Sequence, residues 1–426
     1  MGWVLLIALA TTEVFLLAAT LRVGKPLRRT RAVMRMALLA GFGVLVLTGV
    51  LEWGPRYYAL AGTLLAFTLA GAASLAWPRA VEPRHRPVAR FLGVLLAFAL
   101  ASAPAILFPQ YQPLQATGPH SVARLVAHLT DESRAEAFAE DGRARQLAVE
   151  YWYPETSDGA FPLVVFSHGA TGVRSSNESL FEELASHGYV VASIDHTYHA
   201  LYTTDAEGRT IRIDSGFLAD LRKEDAKNDP AGSLESYRAW MGLRTADIAY
   251  LIDHVRDATE VSDAAAPFSL ADVGRIAVMG HSLGGSAAMG IGRERVDVDA
   301  VITLEAPFMT EIIRVDDGRF VWNDAPYPTP LLNVYSDSSW SHLDEWPQYA
   351  QNQRQLASPD PDVYSVHMAG LGHLGLTDFS LTSPLLTRML DGVPSERSAT
   401  ENLAALNELC LRFLDSCLKG SGAFEP

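Results

Sequence analysis

Ser282 lies in a sequence pattern that would make its hydroxyl group a nucleophile. Residues 275–285 read RIAVMGHSLGG, so a short apolar stretch runs into G-x-S-x-G and then into a segment of small residues. When a strand and a helix flank this motif, the serine occupies a strained turn and its hydroxyl stands clear of the sheet. Gly280 and Gly284 have no Cβ, which leaves room for backbone on both sides of the turn. The spacing therefore predicts covalent catalysis by Ser282.

A serine nucleophile needs a base that accepts its proton, and two downstream histidines are candidates. His367 lies within the apolar stretch 363–368, where a side chain is expected to pack. His373 lies in the glycine-rich loop just after that stretch. A loop at the carboxyl end of a strand can bring a histidine to the nucleophile. We therefore predict His373 as the general base and keep His367 as the alternative.

A third group must orient the histidine, and two acidic residues could do so. Glu305 directly follows the apolar stretch 300–304, and Asp337 follows the stretch 330–335 closely. Both satisfy the chain order serine, acid, histidine that G-x-S-x-G hydrolases use. Both also come at predicted strand ends from which a carboxylate can reach His373. The residue pattern alone leaves the choice between them open.

Acyl transfer also requires two backbone N–H groups directed at the developing oxyanion. One is expected from Leu283, the residue after the nucleophile. The other is expected from the turn 168–170, which follows the apolar stretch 162–167. Ala170 is the predicted donor in this turn, because Gly169 allows the backbone to bend and present it.

The candidate residues require a sheet whose strands end on the same side. From residue 146 onwards, apolar stretches alternate with helical patterns, which predicts an α/β fold with a mostly parallel, doubly wound sheet covered on both faces. Active sites in such sheets lie beyond the carboxyl ends of the strands. The predicted strands are 146–153, 162–167, 189–194, 275–279, 300–304, 330–335 and 363–368, and the predicted helices are 178–186, 234–254, 286–292 and 399–418.

The first 110 residues differ in composition from the rest of the 426-residue chain. Eleven basic and three acidic residues give them a formal charge of +8, which leaves −23 for the remainder. An acidic remainder repels phosphates and therefore excludes nucleic acid as a partner. The first 110 residues also contain four apolar runs close to the ~20 residues that cross a bilayer, which predicts four transmembrane helices. The runs are 3–21, 32–51, 57–77 and 91–108.

Loop charge predicts how these spans are oriented. The loops 22–31 and 78–90 are rich in arginine, and basic loops stay in the cytoplasm. The amino terminus and the acidic domain are then extracytoplasmic, in an integral protein of a bacterial-type cell membrane. Glu13 lies deep in the first run, where it either pairs with a neighbouring helix or acts as a functional intramembrane carboxylate. We favour pairing.

Residues 146–426 are predicted to form the catalytic domain, joined to the spans by a linker over 111–145. Within the domain, residues 201–232 are polar and poorly periodic, which indicates an insertion and a possible lid. His196 and His199 are spaced closely but lack an H-E-x-x-H pattern. We therefore predict neither a metal nor a cofactor.

Five segments in the catalytic domain carry a family resemblance. They are PLVVFSHG at 162–169, ELASHGYVVASIDH at 183–196, RIAVMGHSLGG at 275–285, AVITLEAPFM at 300–309 and GLGHLGLTDF at 370–379. Together they resemble the platelet-activating-factor acetylhydrolases, within the α/β-hydrolases that include the dienelactone hydrolases. The resemblance implies an α/β-hydrolase fold and calcium-independent hydrolysis of short or oxidised acyl esters, including those of phospholipids.

The resemblance also bears on the site residues. In that family the acid follows the strand after the nucleophile turn, which favours Glu305 over Asp337, although the family usually has aspartate there. The oxyanion donors would fall on Ala170 and Leu283. The overall prediction is a membrane-anchored serine ester hydrolase that takes a small-molecule or lipid ester. The alternatives are a peptidase or polyester hydrolase on the same residues, and a catalytically vestigial membrane binding or sensing protein.

Overall fold

The computed structural model describes residues 1–24, 27–76, 86–261, 264–393 and 397–426. The chain divides into two compact units. The first comprises Met1–Gln112 and Leu381–Leu386, and the second comprises Pro113–Ser380 and Thr387–Pro426.

The first unit contains four long apolar helices. Each has 20 to 22 residues and is long and apolar enough to cross a membrane. Lys25, and Arg79 and Arg84 of the predicted basic loop, lie outside the described residues, so the orientation of the spans stays a prediction. The helices are α1 (Gly2–Val23), α2 (Arg28–Leu47), α3 (Pro55–Ala76) and α4 (Arg86–Leu107).

Glu13 on α1 forms a buried ion pair with Arg35 on α2. Oε1 of Glu13 lies 3.1 Å from Nη2 of Arg35, and each residue is less than a tenth exposed. The guanidinium also lies over the ring of Phe67, 4.9 Å from its centroid. The structure therefore contains the interhelical pairing that we favoured for Glu13.

An eight-stranded sheet forms the centre of the second unit, with the strand order β1-β2-β4-β3-β7-β8-β11-β12. All neighbours from β4 to β12 pair in parallel, and the two pairs at the β1 edge are antiparallel. The predicted α/β fold is therefore confirmed. These strands are β1 (Val122–Ala135), β2 (Ala144–Pro154), β3 (Phe161–Ser167), β4 (Val190–Asp195), β7 (Ala271–His281), β8 (Ala300–Leu304), β11 (Leu331–Ser336) and β12 (Val363–Met368).

Two short hairpins, nine α-helices and four single-turn 3₁₀ helices complete the second unit and the segment 381–386, counted over the described residues. The hairpins are β5 (Tyr202–Thr204) with β6 (Thr210–Arg212), and β9 (Ile312–Asp316) with β10 (Arg319–Trp322). The helices are α5 (Glu178–Ser186), α6 (Ser215–Lys223), α7 (Pro230–Thr259), α8 (Leu283–Glu294), α9 (Asp337–Trp340), α10 (Ala350–Ala357), α11 (Phe379–Thr382), α12 (Pro384–Asp391) and α13 (Ala399–Lys419).

Strand β1 corrects the prediction of a linker over 111–145. It pairs with β2 in antiparallel register, from Val122 opposite Pro154 to Asp131 opposite Arg145. Most of its residues are exposed or half-buried because it lies at the edge of the sheet. An edge strand of this kind lacks the continuous apolar run that marked the central strands.

The insertion predicted over 201–232 also has regular structure. It contains the hairpin β5–β6 and the helix α6, and its last three residues are the start of α7. Asp214 caps α6 by accepting a hydrogen bond from the N–H of Phe217 at 2.8 Å. A role as a lid stays a prediction.

Candidate active site

The predicted site residues lie at the carboxyl-terminal end of the sheet, after four of five neighbouring strands. In sheet order these strands are β3, β7, β8, β11 and β12, all parallel. Ala170 follows β3, Ser282 follows β7, Glu305 follows β8, and His373 follows β12. Because parallel strands have their carboxyl ends on the same side, residues distant in sequence meet there.

Ser282 occupies a strained turn between β7 and α8. Its φ of 54° and ψ of −124° lie where a residue with a side chain is seldom found. A Cβ on Gly280 would lie 2.2 Å from the carbonyl carbon of Gly284, and a Cβ on Gly284 would lie 1.9 Å from the carbonyl oxygen of Ser167. Only glycine fits at these two positions, as the motif requires.

His373 and Glu305 form a hydrogen-bonded pair. Nδ1 of His373 lies 3.0 Å from Oε2 of Glu305, and the carboxylate is buried. The hydroxyl of Ser336 donates a second hydrogen bond to the same oxygen. Burial raises the pKa of Glu305, but the hydrogen bond and charge of His373, with the serine hydroxyls nearby, outweigh burial and hold this pKa below its ordinary value. Glu305 is therefore ionised at neutral pH.

The alternative acid and the alternative base form a second pair. Nε2 of His367 lies 2.7 Å from Oδ1 of Asp337, and the other carboxylate oxygen accepts a hydrogen bond from the N–H of Gly370 at 2.8 Å. The indole of Trp340 stacks on the imidazole of His367 at 4.4 Å. Asp337 is thus paired with His367 rather than with His373.

One pocket of about 330 Å³ contains the residues predicted for catalysis. Aromatic side chains form much of its wall, and α6 with the residue after it contributes Leu221 and Glu224. Neither Asp337 nor His367 lines the pocket. The predicted site residues in the lining are Ala170, Ser282, Leu283, Glu305 and His373, and the aromatic residues are Tyr237, Trp240, Trp346 and Tyr349.

Residues that sequence reasoning missed hold the loop of His373. The hydroxyl of Ser338 accepts a hydrogen bond from the N–H of His373 at 3.0 Å. The carboxylate of Asp391, at the end of α12, accepts from the N–H groups of Leu374 at 3.0 Å and Gly375 at 3.1 Å. No sequence pattern connected Ser338 or Asp391 to this loop.

His281 supports the same loop from beneath the nucleophile. Its Nε2 lies 3.0 Å from the carbonyl oxygen of His373, and the two imidazoles lie 4.4 Å apart. Burial lowers the pKa of His281 to about 3, so the ring is neutral and Nε2–H donates to the carbonyl. The neutral His281 ring therefore adds no positive charge beside His373.

Comparison with known proteins finds similarity to acetylhydrolases and cutinases. A family model described as platelet-activating factor acetylhydrolase, isoform II, matches residues 147–214. The platelet-activating factor acetylhydrolase of Canis lupus familiaris is 25% identical over 270 residues, which cover 61% of this chain and 57% of that enzyme. The cutinase est2 of Thermobifida alba is 26% identical over 222 residues, which cover 52% of this chain and 53% of the cutinase.

A solved structure gives the same fold. The ferulic acid esterase from Streptomyces cinnamoneus superposes with a TM-score of 0.54 at 22% identity, over 72% of this chain and 93% of the esterase. The sheet and the strand–turn–helix at Ser282 define an α/β-hydrolase fold. Within that fold, the chain is similar in sequence to platelet-activating factor acetylhydrolases and to cutinases. The matched stretch spans just over half the length of these curated relatives.

Proposed function

We propose that the chain is a membrane-anchored serine ester hydrolase that works through an acyl-enzyme. One observation carries the proposal: Ser282, held on a strained turn, shares a pocket with His373, whose Nδ1 contacts the buried carboxylate of Glu305. A nucleophile, a base and a group that orients the base are the parts that such chemistry needs.

The chemistry proceeds in two halves. Oγ of Ser282 attacks the acyl carbon while His373 takes the hydroxyl proton at Nε2. The imidazole then gives this proton to the leaving alcohol oxygen as the carbon–oxygen bond breaks. Water, deprotonated by the same nitrogen, attacks the acyl-enzyme. The bond between the acyl carbon and Oγ then breaks, the imidazolium returns the proton to Oγ of Ser282, and the acid is released. Glu305 accepts a hydrogen bond from Nδ1–H and stabilises the imidazolium, and the N–H groups of Ala170 and Leu283 bind the oxyanion.

The proposed substrate is a short or oxidised acyl ester of a lipid. A pocket of about 330 Å³ lies at the small end of the ~300–1,000 Å³ typical of ligand sites, which suits a short acyl group. Its aromatic wall suits an apolar substituent. Four helices with the length and apolarity of membrane spans would hold the enzyme at a bilayer, where lipid esters are concentrated.

The similarity to a cutinase favours a second candidate, hydrolysis of a polyester by the same residues. A substrate panel separates the two candidates and tests the proposal. Purified full-length protein in detergent is offered a short-chain phospholipid ester, a polyester film, a p-nitrophenyl ester and the matching anilide. We expect ester turnover and labelling by a fluorophosphonate, both lost in Ser282→Ala.

Ser286→Ala is the matched control for that variant. Ser286 is buried in α8 and does not line the pocket, and its hydroxyl donates to the carbonyl of Pro307 at 2.7 Å. Turnover in Ser286→Ala should remain, and turnover that persists in folded Ser282→Ala overturns the proposal. Faster cleavage of the anilide than of the ester would instead favour a peptidase.

A further inference from the structure

Arg244 is a buried cation directed at the turn that follows β3. It lies on α7 and is fully buried. Nη1 donates to the carbonyl oxygen of His168 at 2.6 Å, and Nη2 donates to the carbonyl oxygen of Gly169 at 3.3 Å. A longer contact of 3.5 Å joins Nη1 to the hydroxyl of Ser167. Its guanidinium therefore contacts the last residue of β3 and the turn that leads to Ala170.

The partners of Arg244 set it apart from the other fully buried arginine of this unit. Arg145 forms salt bridges with Glu136 and Asp247, at 2.9 Å and 2.7 Å. In the described part of the chain Arg244 forms no salt bridge, and the oxygens that accept from it are neutral. Burial lowers the pKa of Arg244 to about 9, which leaves it protonated at neutral pH.

Burying a cation without a paired carboxylate costs free energy. Arg244 donates instead to the carbonyl groups of the turn. These hydrogen bonds offset the free-energy cost of burying the guanidinium, and they form only when the turn has this conformation.

The peptide between Gly169 and Ala170 has its carbonyl on one side and its N–H on the other. This follows because a trans peptide is planar, with the two bonds pointing in opposite directions. Three donors hold the carbonyl oxygen of Gly169: Nη2 of Arg244 at 3.3 Å, Nδ1 of His168 at 2.6 Å and the N–H of Gly172 at 3.2 Å. The N–H of Ala170 therefore points away from Arg244, and Ala170 lines the pocket of Ser282.

The His168 ring is fixed in one tautomer. Burial lowers the pKa of His168 well below its ordinary value, so the ring is neutral. Nδ1–H donates to the carbonyl of Gly169, and Nε2 accepts a hydrogen bond from the N–H of His196 at 3.3 Å. His168 thus keeps the carbonyl in place, while the positive charge in this arrangement comes from Arg244.

We propose that Arg244 is a positioning residue for ester hydrolysis, which holds and polarises the Gly169–Ala170 peptide so that the N–H of Ala170 binds the oxyanion more strongly. The inference rests on the proposed function of Ser282. Hydrogen bonds in a chain polarise one another, so a cation on the carbonyl strengthens the N–H as a donor. A fixed positive charge near a developing oxyanion also stabilises it in a site that excludes water.

Arg244→Met and Arg244→Lys test the proposal in the full-length protein in detergent. The expected loss in kcat for Arg244→Met is about 10²–10³-fold, the effect of losing one oxyanion donor, with KM little changed. The affinity for a trifluoromethyl ketone, which forms a charged tetrahedral adduct with the serine, should fall by a similar factor. Binding of the neutral product alcohol should not change. Arg244→Lys keeps the charge but cannot contact both carbonyl oxygens as the guanidinium does, so it should recover part of the kcat.

Arg145→Met is the control, because Arg145 is equally buried but does not contact the turn. Folded Arg244→Met with kcat within threefold of the parent would overturn the proposal. An equal loss of ketone affinity in Arg145→Met would do the same. If Arg244→Met does not fold, a kcat of Arg244→Lys equal to the parent value overturns it. Activity that survives in Ser282→Ala would instead refute the proposed function.

Discussion

Glu305 lies 68 positions before His373 in the chain, yet Oε2 of Glu305 and Nδ1 of His373 are 3.0 Å apart. Asp337, which follows β11, and His367 on β12 form a second carboxylate–imidazole pair. Only the first pair lines the pocket that contains Ser282. Catalysis should therefore depend on the first pair, while the second pair should matter for the stability of the β11 and β12 ends.

Glu305→Gln should lower kcat for an ester about 10³–10⁴-fold. The amide cannot stabilise an imidazolium and favours the wrong tautomer of His373. Asp337→Asn, which is the matched change in the second pair, should keep kcat within about tenfold. It should lower the free energy of unfolding by about 1–3 kcal/mol, because hydrogen bonds to His367 and Gly370 weaken. Ester kinetics and denaturant titration measure both effects. A larger loss in kcat for Asp337→Asn than for Glu305→Gln would identify Asp337 as the acid.

Gly284→Ala should abolish turnover and lower the midpoint of thermal unfolding. The added methyl group would lie 1.9 Å from the carbonyl oxygen of Ser167, so β3 and the start of α8 would have to separate. Gly242→Ala on α7 is the control, since its added methyl group would meet nothing within 4 Å. That change should be neutral or stabilise the helix by up to about 1 kcal/mol. An active, stable Gly284→Ala variant would contradict the geometry of the turn.

The stability of the second unit should fall as the solution is made acidic. Burial lowers the pKa of His199 to about 2, below the 6.5 of an unfolded histidine. Below pH 6.5 the unfolded chain binds a proton that the folded chain does not, so this residue lowers the free energy of unfolding by about 1.4 kcal/mol per pH unit. His199→Phe, which keeps a ring stacked on Phe217, should weaken this dependence. Denaturant titrations at pH 7.5 and 5.0 give the free energy of unfolding of the variant and of the parent. If this free energy changes equally with pH in both proteins, the prediction is refuted.

Glu224 should make the pocket prefer cationic over uncharged substrates. Its Oε1 accepts hydrogen bonds from the hydroxyls of Tyr237 and Ser233 and from the N–H of Ala226, which fixes the carboxylate in the pocket wall. An acetate ester of choline and its uncharged isostere, 3,3-dimethylbutyl acetate, isolate the effect of charge. Glu224→Gln should lower kcat/KM for the choline ester about tenfold and leave the neutral ester unchanged. An equal change for both esters would show that the charge plays no part.

The central strands and the nucleophile turn could be predicted because their physics is local. Continuous apolar runs predict buried parallel strands, and Gly280 and Gly284 mark a turn that no larger residue fits. Strand order then brings Glu305 and His373 together without any pattern that links them in sequence. The family resemblance favoured Glu305 over Asp337, and the two pairs in the structure agree with that preference. The catalytic roles of these residues stay predictions.

Other features depend on tertiary contacts that leave no local pattern. Strand β1 is an exposed edge, so its polar sequence resembled a linker. Arg244 is 38 positions before Ser282 in a long helix, and helical periodicity does not indicate that a cation faces the core. Asp391 caps the His373 loop from α12 by backbone contacts that any acceptor side chain of suitable length could make.

The ion pair between Glu13 and Arg35 has a consequence for biogenesis. In the membrane-anchored enzyme proposed above, a lone charge at the centre of a span costs about 2.5–3.5 kcal/mol on insertion scales. Glu13 lies near the middle of α1, and Arg35 lies inside α2. Together the two side chains neutralise each other. We therefore expect α1 and α2 to leave the translocon as a hairpin, with the first helix retained until the second has been synthesised.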